Sequence, residues 1–188
     1  MGYHIMGAPG SGVSTLGYAL AQQLDVAHFD TDDFHWFTGD DLPYRRRRNP
    51  DHRRQLLGDA LAQSPSWVLS GTLCGWGDVF IPKFEAVIYL WLPTKTRIAR
   101  IQDREMTRYG AERIQPGGDL HSVFEKFCAW AAAYDEPEAT FLRSKVREME
   151  WLQQLHCPVL LLTEEAPVTS LVTLCETFLK ENGLSLDV

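Results

Sequence analysis

The chain has 188 residues, room for one ordinary domain, and its 45% apolar and 23% charged composition excludes a disordered or fibrous protein. A chain of this size buries roughly 70% of its unfolded surface, so it needs no disulfide or structural metal to fold. Its 18 Lys and Arg against 25 Asp and Glu give a net charge of −7, which argues against a nucleic-acid partner. No apolar run approaches the ~20 residues of a membrane span and the first residues lack a signal peptide's basic start, so a cytoplasmic protein with no membrane partner is expected.

In chain order, short β-like runs alternate with helical patterns, the mark of an α/β domain with a parallel sheet covered by helices on both faces. The first strand is expected over Tyr3–Met6 and the first helix over Val13–Leu24, where Val13, Leu16, Leu20 and Leu24 recur at helical spacing. Between them lies Gly7-Ala8-Pro9-Gly10-Ser11-Gly12-Val13-Ser14-Thr15. This is the phosphate-binding frame GxxxxGK[ST] with every fixed position filled except the lysine, which is Val13. Glycines let successive N–H groups point at one anion, and the helix N-terminus adds its dipole. Gly7, Gly10, Ser11, Gly12, Val13, Ser14 and Thr15 are therefore candidate nucleotide-binding residues. A ligand-free glycine turn is the plainer reading, and the strand-to-helix context weighs against it. Without the lysine, the backbone cradle survives while charge stabilisation during transfer is lost, so binding can outlast chemistry.

A second strand, Val26–Phe29, runs into Asp30-Thr31-Asp32-Asp33. Ligands gather beyond the carboxyl ends of strands in open α/β sheets, so these carboxylates should face the phosphate loop. One could hold Mg²⁺ and another accept a proton; the alternative is an Asx-turn capping a short helix through Phe34–Trp36. His35 receives no role. The polar stretch Trp36–Pro50 holds Arg45, Arg46, Arg47 and Arg48, which with Arg53 and Arg54 suit an anionic acceptor.

Further elements follow: a helix Pro50–Gln63, strands Trp67–Ser70 and Ala86–Leu92, and a helix Thr94–Arg108 with Ile98 and Ile101 inward. Arg97, Arg100, Arg104 and Arg108 line one flank of that helix, either as a solvated face paired with Asp103 and Glu105 or as guanidinium forks for phosphate. Tyr109–Asp119 breaks the periodicity with glycines and a proline, as a closing loop would. A helix Asp119–Tyr134, a strand Pro158–Thr163 and a helix Pro167–Glu181 complete the chain. Cys74, Cys128, Cys157 and Cys175 show no disulfide or zinc spacing and are expected reduced and buried.

Together, the phosphate loop, the Asp-x-Asp after the second strand, Ser70-Gly71 after the third, the arginine-bearing helix and the lid-like loop resemble the small P-loop kinases related to adenylate, shikimate and gluconate kinases. The resemblance covers most of the chain and implies a three-layer α/β fold with a five-stranded parallel sheet. It implies one domain, residues 1–188, with an acceptor-binding segment near 34–63 and a lid near 109–119. It implies ATP or another nucleoside triphosphate bound by Gly10 to Thr15, and Mg²⁺ held by Ser14 and Asp30. Asp32 would face the acceptor, and Arg104 and Arg108 would stand at the lid base. Asp33, Arg45 and Gly71 are the candidate acceptor-binding residues, and Arg104 is the first candidate to replace the absent lysine as a catalytic charge. Two departures stand out: Val13 for the lysine, and Ser70 where nucleotide kinases carry an aspartate. The leading expectation is an ATP-dependent phosphotransferase acting on a small, anionic metabolite or nucleotide. The alternatives are a catalytically weak nucleotide-binding sensor or partner-binding protein, and a slow nucleotide hydrolase.

Overall fold

A computed structural model describes residues 1–37, 44, 46–138 and 143–184. Five strands, β1 (Gly2–Gly7), β2 (Ala27–Asp30), β3 (Trp67–Ser70), β4 (Ala86–Leu90) and β5 (Val159–Leu162), form one sheet in the order β2-β3-β1-β4-β5. Every pairing is parallel, with Ile5 beside both Ser70 and Ile88. The helices are α1 (Val13–Gln23), α2 (Thr31–His35), α3 (Pro50–Ala62), α4 (Thr94–Tyr109), α5 (Ala111–Ile114), α6 (His121–Ala132), α7 (Lys145–Leu152) and α8 (Val168–Glu181). The expected three-layer α/β fold is the one found. Among the described residues no helix is long and apolar enough to cross a membrane.

Two apolar clusters explain the layering. On one face of the sheet Tyr3, Ile5, Val68 and Ile88 pack with Leu16 and Leu20 of α1 and Val172, Cys175 and Leu179 of α8. On the other, Met6, Leu69, Val87 and Tyr89 pack with Leu57 and Leu61 of α3 and Trp151 and Leu152 of α7. Alternate residues of the central strands thus feed opposite layers, as the pleat requires. Both faces being covered, β1 is buried throughout and shows no polar–apolar alternation, His4 being buried with the rest.

Some expectations need correction. The inward stripe of α4 is Arg97, Ile101 and Glu105, with Ile98 only half-buried. Two charged residues take the core-facing positions because each finds partners there, a possibility that hydrophobic periodicity cannot register. Of the cysteines only Cys175 is buried; the other three are partly exposed, and all four are free thiols. The sequence reading left out the 3₁₀ helix Asp78–Lys83, the helix α7 and the short α5 inside the expected lid loop.

Candidate nucleotide and acceptor site

The loop from Gly7 to Thr15 leaves the carboxyl end of β1 and opens α1. Gly7, Gly10 and Gly12 all have positive φ, 146°, 83° and 104°. Gly12 caps α1 in the left-handed region, and a Cβ there meets nothing nearer than Arg100 Nη1 at 3.8 Å, so backbone conformation rather than space demands glycine. Inside the loop, the Ser11 N–H and hydroxyl both donate to the Ala8 carbonyl, at 3.1 and 2.8 Å. Ser11 is thereby a brace, and any contact it makes to an anion comes through the main chain. Ser14 and Thr15 remain exposed. Val13 is 7% exposed and packs among Tyr3, Ile5 and Leu16, so its side chain joins the core and offers the loop no donor.

Asp30 ends β2 directly across from α1. Its Oδ2 accepts from the Ser14 hydroxyl at 2.6 Å, while its Oδ1 caps α2 by accepting the Asp32 N–H at 3.0 Å. The cap expected from the sequence is therefore present, supplied by Asp30, and leaves its other carboxylate oxygen on Ser14. A hydroxyl and a carboxylate are hard oxygen donors, the kind Mg²⁺ takes singly while keeping waters and phosphate oxygens as its other ligands. Among the described residues no three His, Cys, Asp or Glu side chains are grouped so as to hold a metal ion.

Asp32 opens to solvent at the rim, yet the protein crowding it strips hydration and, with the charge of Asp30, pushes its carboxyl above the ordinary range. The charge of Arg143 and a 3.3 Å bond from Trp36 Nε1 oppose that shift. Asp33 is shifted upward for the same two reasons, and Arg48 Nη1 donates to its carbonyl at 2.7 Å. Tyr44 lies over Trp36, with ring centres 5.8 Å apart, and feels Asp32, Arg104 and Arg108; Arg108 also bonds its hydroxyl. Asp32, Arg104 and Arg108 thus all act electrostatically on Tyr44, which Arg108 also bonds. His35, unassigned from sequence, packs on Trp36 and Trp76 and accepts from Arg53 Nη1 at 3.2 Å; burial and the charges of Arg53, Arg47 and Arg143 hold its imidazole down at about 4. Gly71, at φ 108°, is forced by contact: a Cβ there would lie 1.9 Å from the Thr31 hydroxyl oxygen. Ser70 bonds His28 Nε2 at 2.8 Å beneath α1. Arg45 lies outside the described residues.

The arginines of α4 separate into different roles. Arg97 is fully buried and donates to the carbonyls of Pro9, Ala131 and Leu92 and to Asp135, so it braces the loop from beneath and is no solvated or phosphate-seeking residue. Arg100 reaches the Ser11 carbonyl at 3.3 Å and pairs with Glu165 at 2.6 Å, closing a small cleft lined also by Leu92, Leu162 and Ala166. Arg104 pairs with Glu105 at 2.8 Å and lies over the Phe127 ring. In the lid-like loop, Arg113 pairs with Asp119 at 2.6 Å and Ile114 is buried. The arginine that sequence reasoning missed is Arg143, whose Nη2 donates to the Gly7 carbonyl at 2.8 Å. No local motif marks it: Arg143 follows Phe141 and Leu142 and is the first of three basic residues, with Lys145 and Arg147, in a run that matches no phosphate-binding pattern.

Comparison with known proteins agrees with this architecture. A shikimate kinase from Acinetobacter baumannii, solved in complex with shikimate, superposes with a TM-score of 0.57 at 14% identity, covering 97% of this chain and 94% of that one. A gluconokinase from Sinorhizobium meliloti 1021 gives 0.52 at 17% identity, with 96% and 91% covered. At such identities the likeness establishes the fold, which is that of the small P-loop kinases. In sequence, the chain is 36% identical over 179 residues to the uncharacterized protein YqaC of Bacillus subtilis (strain 168), covering 95% of this chain and 97% of the relative. A family model for the AAA domain matches residues 4–118, the stretch that carries the phosphate loop, the acidic helix α2 and the arginines of α4, and on that match the chain belongs to the AAA domain family.

Proposed function

We propose that the protein transfers the terminal phosphoryl group of ATP, or of another nucleoside triphosphate, to a hydroxyl of a small anionic metabolite or nucleotide. The observation that carries this reading is the placement of Asp32 two residues from the Ser14–Asp30 pair, with its N–H on the Asp30 carboxylate and the charge of Arg143 acting on it. In this scheme the backbone N–H groups of Gly10 to Thr15 cradle the phosphates, and Ser14 and Asp30 would hold Mg²⁺. The bound metal supplies neutralisation of charge on the phosphate chain. Asp32 orients the acceptor hydroxyl and takes its proton as the acceptor oxygen bonds to the terminal phosphorus. The bond from that phosphorus to the bridging oxygen breaks, and its electron pair leaves with the nucleoside diphosphate. An upward-shifted carboxyl is the better base for this step at neutral pH. Residues 34–63, with Asp33, Arg45 and Gly71, would receive the acceptor, and residues 109–119 would close over it, all within one domain.

The burial of Val13 favours a second reading, in which the loop binds nucleotide and transfers nothing, or transfers only to water. Asp32→Asn discriminates. It should reduce turnover about 10²-fold or more while leaving calorimetric affinity for Mg-ATP within roughly threefold. Equal loss of both would move Asp32 into the metal shell. A wild type that binds Mg-ATP and is inert toward every acceptor would establish the sensor reading.

A further inference from the structure

Resting on the phosphotransfer reading, the question is which charge does the work that Val13 cannot. Three arginines come near, and their tethers differ. Arg104 is held by Glu105 and Phe127. Arg100 touches the loop at the Ser11 carbonyl and is tied to Glu165. Arg143 meets the loop at its other end. Its Nη2 bonds the Gly7 carbonyl, where the loop begins, and its charge bears on Asp32 and His35. The guanidinium therefore touches the phosphate loop at its first residue and acts electrostatically on the carboxylate proposed to face the acceptor.

Arg143 is held there by a buried chain. Its Nε lies 3.4 Å from Oε1 of Glu148, which has no exposure at all. The other carboxylate oxygen, Oε2, accepts from the Tyr134 hydroxyl at 2.5 Å, and Tyr134 shares a 2.6 Å bond with the Tyr89 hydroxyl of β4. Burying a carboxylate this deep is costly unless a cation is kept beside it, so Glu148 and Arg143 hold each other in place. The Arg143 Nε and Glu148 Oε1 make no well-formed hydrogen bond, so the pair is electrostatic and loose, and the side chain stays 23% exposed. A guanidinium has several N–H donors in a planar fork, remains charged when desolvated, and binds phosphate oxygens two at a time.

We propose that Arg143, positioned by Glu148 and Tyr134 and seated on the Gly7 carbonyl, is the phosphate-binding cation that replaces the absent loop lysine by contacting the terminal phosphoryl group.

A charge on the terminal phosphate must raise affinity for ATP over ADP, an effect that a merely structural arginine would not produce. The test compares wild type, Arg143→Gln, Arg143→Lys, and the double variant Val13→Lys with Arg143→Gln. Calorimetry with Mg-ATP and Mg-ADP gives the affinity ratio, and single-turnover consumption of ATP gives the rate. Arg143→Gln keeps a donor for the Gly7 carbonyl and loses the charge. It should cut the ATP-over-ADP ratio about tenfold and the rate about 10²-fold, the scale for one charge-stabilising donor. The double variant should recover at least tenfold of that rate. If Arg143→Gln does not fold, Arg143→Lys serves, with an expected drop of about threefold or more in the ratio because an ammonium lacks the fork. A folded variant with an unchanged ratio and rate would overturn the role of Arg143 and leave phosphotransfer standing. A wild type that ignores ATP and GTP with Mg²⁺ at millimolar concentration would instead bring down the phosphotransfer reading and this inference with it.

Discussion

Arg97 carries a charge into the interior with enough acceptors to hold it. Its guanidinium spans the Pro9 carbonyl of the phosphate loop, the Ala131 carbonyl at the end of α6 and the Asp135 carboxylate, tying three separate segments to α4. Removing one partner of a buried pair leaves the other uncompensated, at about 3–5 kcal/mol. Arg97→Leu should therefore lower the melting temperature by roughly 10 °C, given about 2–4 °C per kcal/mol at this chain length. A change under 2 °C would show that the network repacks without it. Gly12 makes the opposite case. Its surroundings are open, so Gly12→Val costs backbone strain of order 1–3 kcal/mol at φ 104° and distorts the N–H cradle. The variant should fold and lose at least tenfold in Mg-ATP affinity; undiminished affinity by calorimetry would place the phosphates elsewhere.

At the scale of the element, the central strand β1 holds a histidine where its neighbours hold apolar residues. His4 is fully buried, stacked on Phe84 with ring centres 4.8 Å apart and edge-on to Trp151 of α7. One ring nitrogen, Nδ1, donates to the Leu69 carbonyl at 3.0 Å, and Nε2 faces no polar partner, so the packing accepts only the neutral ring. Burial pushes its pKa from 6.5 to about 4. The folded state thus refuses a proton that the unfolded chain takes up below pH 6.5. The stability is fully present above that pH and is lost as pH falls toward 4, by about 3 kcal/mol for a shift of this size. His35, in α2, has the same depressed value and adds to the trend in the same window. Chemical denaturation of wild type and His4→Phe at pH 7 and pH 4 isolates the His4 share: the gap between them should shift by about 3 kcal/mol in favour of the phenylalanine. A pH-independent gap would mean that water or a counter-charge reaches the ring.

For the whole molecule, the candidate site lies beyond the carboxyl ends of β1 and β2, beside α4 and the segment before α7. A ligand bound there would add to the few side-chain bonds that join these elements outside the core. Mg-ATP at about 100 times its dissociation constant should stabilise the fold by about 2.7 kcal/mol, which is roughly 5–10 °C in melting temperature. Hydrogen exchange should slow in residues 109–119 when nucleotide binds and in residues 44–63 when an acceptor joins it. β1 and β4, already paired on both sides, should show no change. Nucleotide-induced protection confined to the phosphate loop would argue that the 109–119 segment is a static wall.

Read alone, the sequence determined the five strands, the longer helices apart from α7, and the position of the phosphate loop. These are local facts: glycines permit positive φ, a buried parallel strand must be apolar, and a helix N-terminus after such a loop attracts an anion. It also expected the carboxylates after the second strand to face the loop, and the Ser14 hydroxyl does bond Asp30, because the ends of adjacent elements converge wherever a β-loop-α unit closes. The arginines were different. Four lie at regular spacing on α4, yet the structure sends Arg97 into the core and holds Arg104 on its neighbour Glu105. The arginine on the loop's first carbonyl comes from a position 136 residues away. A long, flexible cation goes wherever buried carbonyls and carboxylates are left unpaired. Those vacancies exist only once α6, α7 and β4 have packed around the loop, so tertiary structure alone decided which charge stands on the loop's first carbonyl.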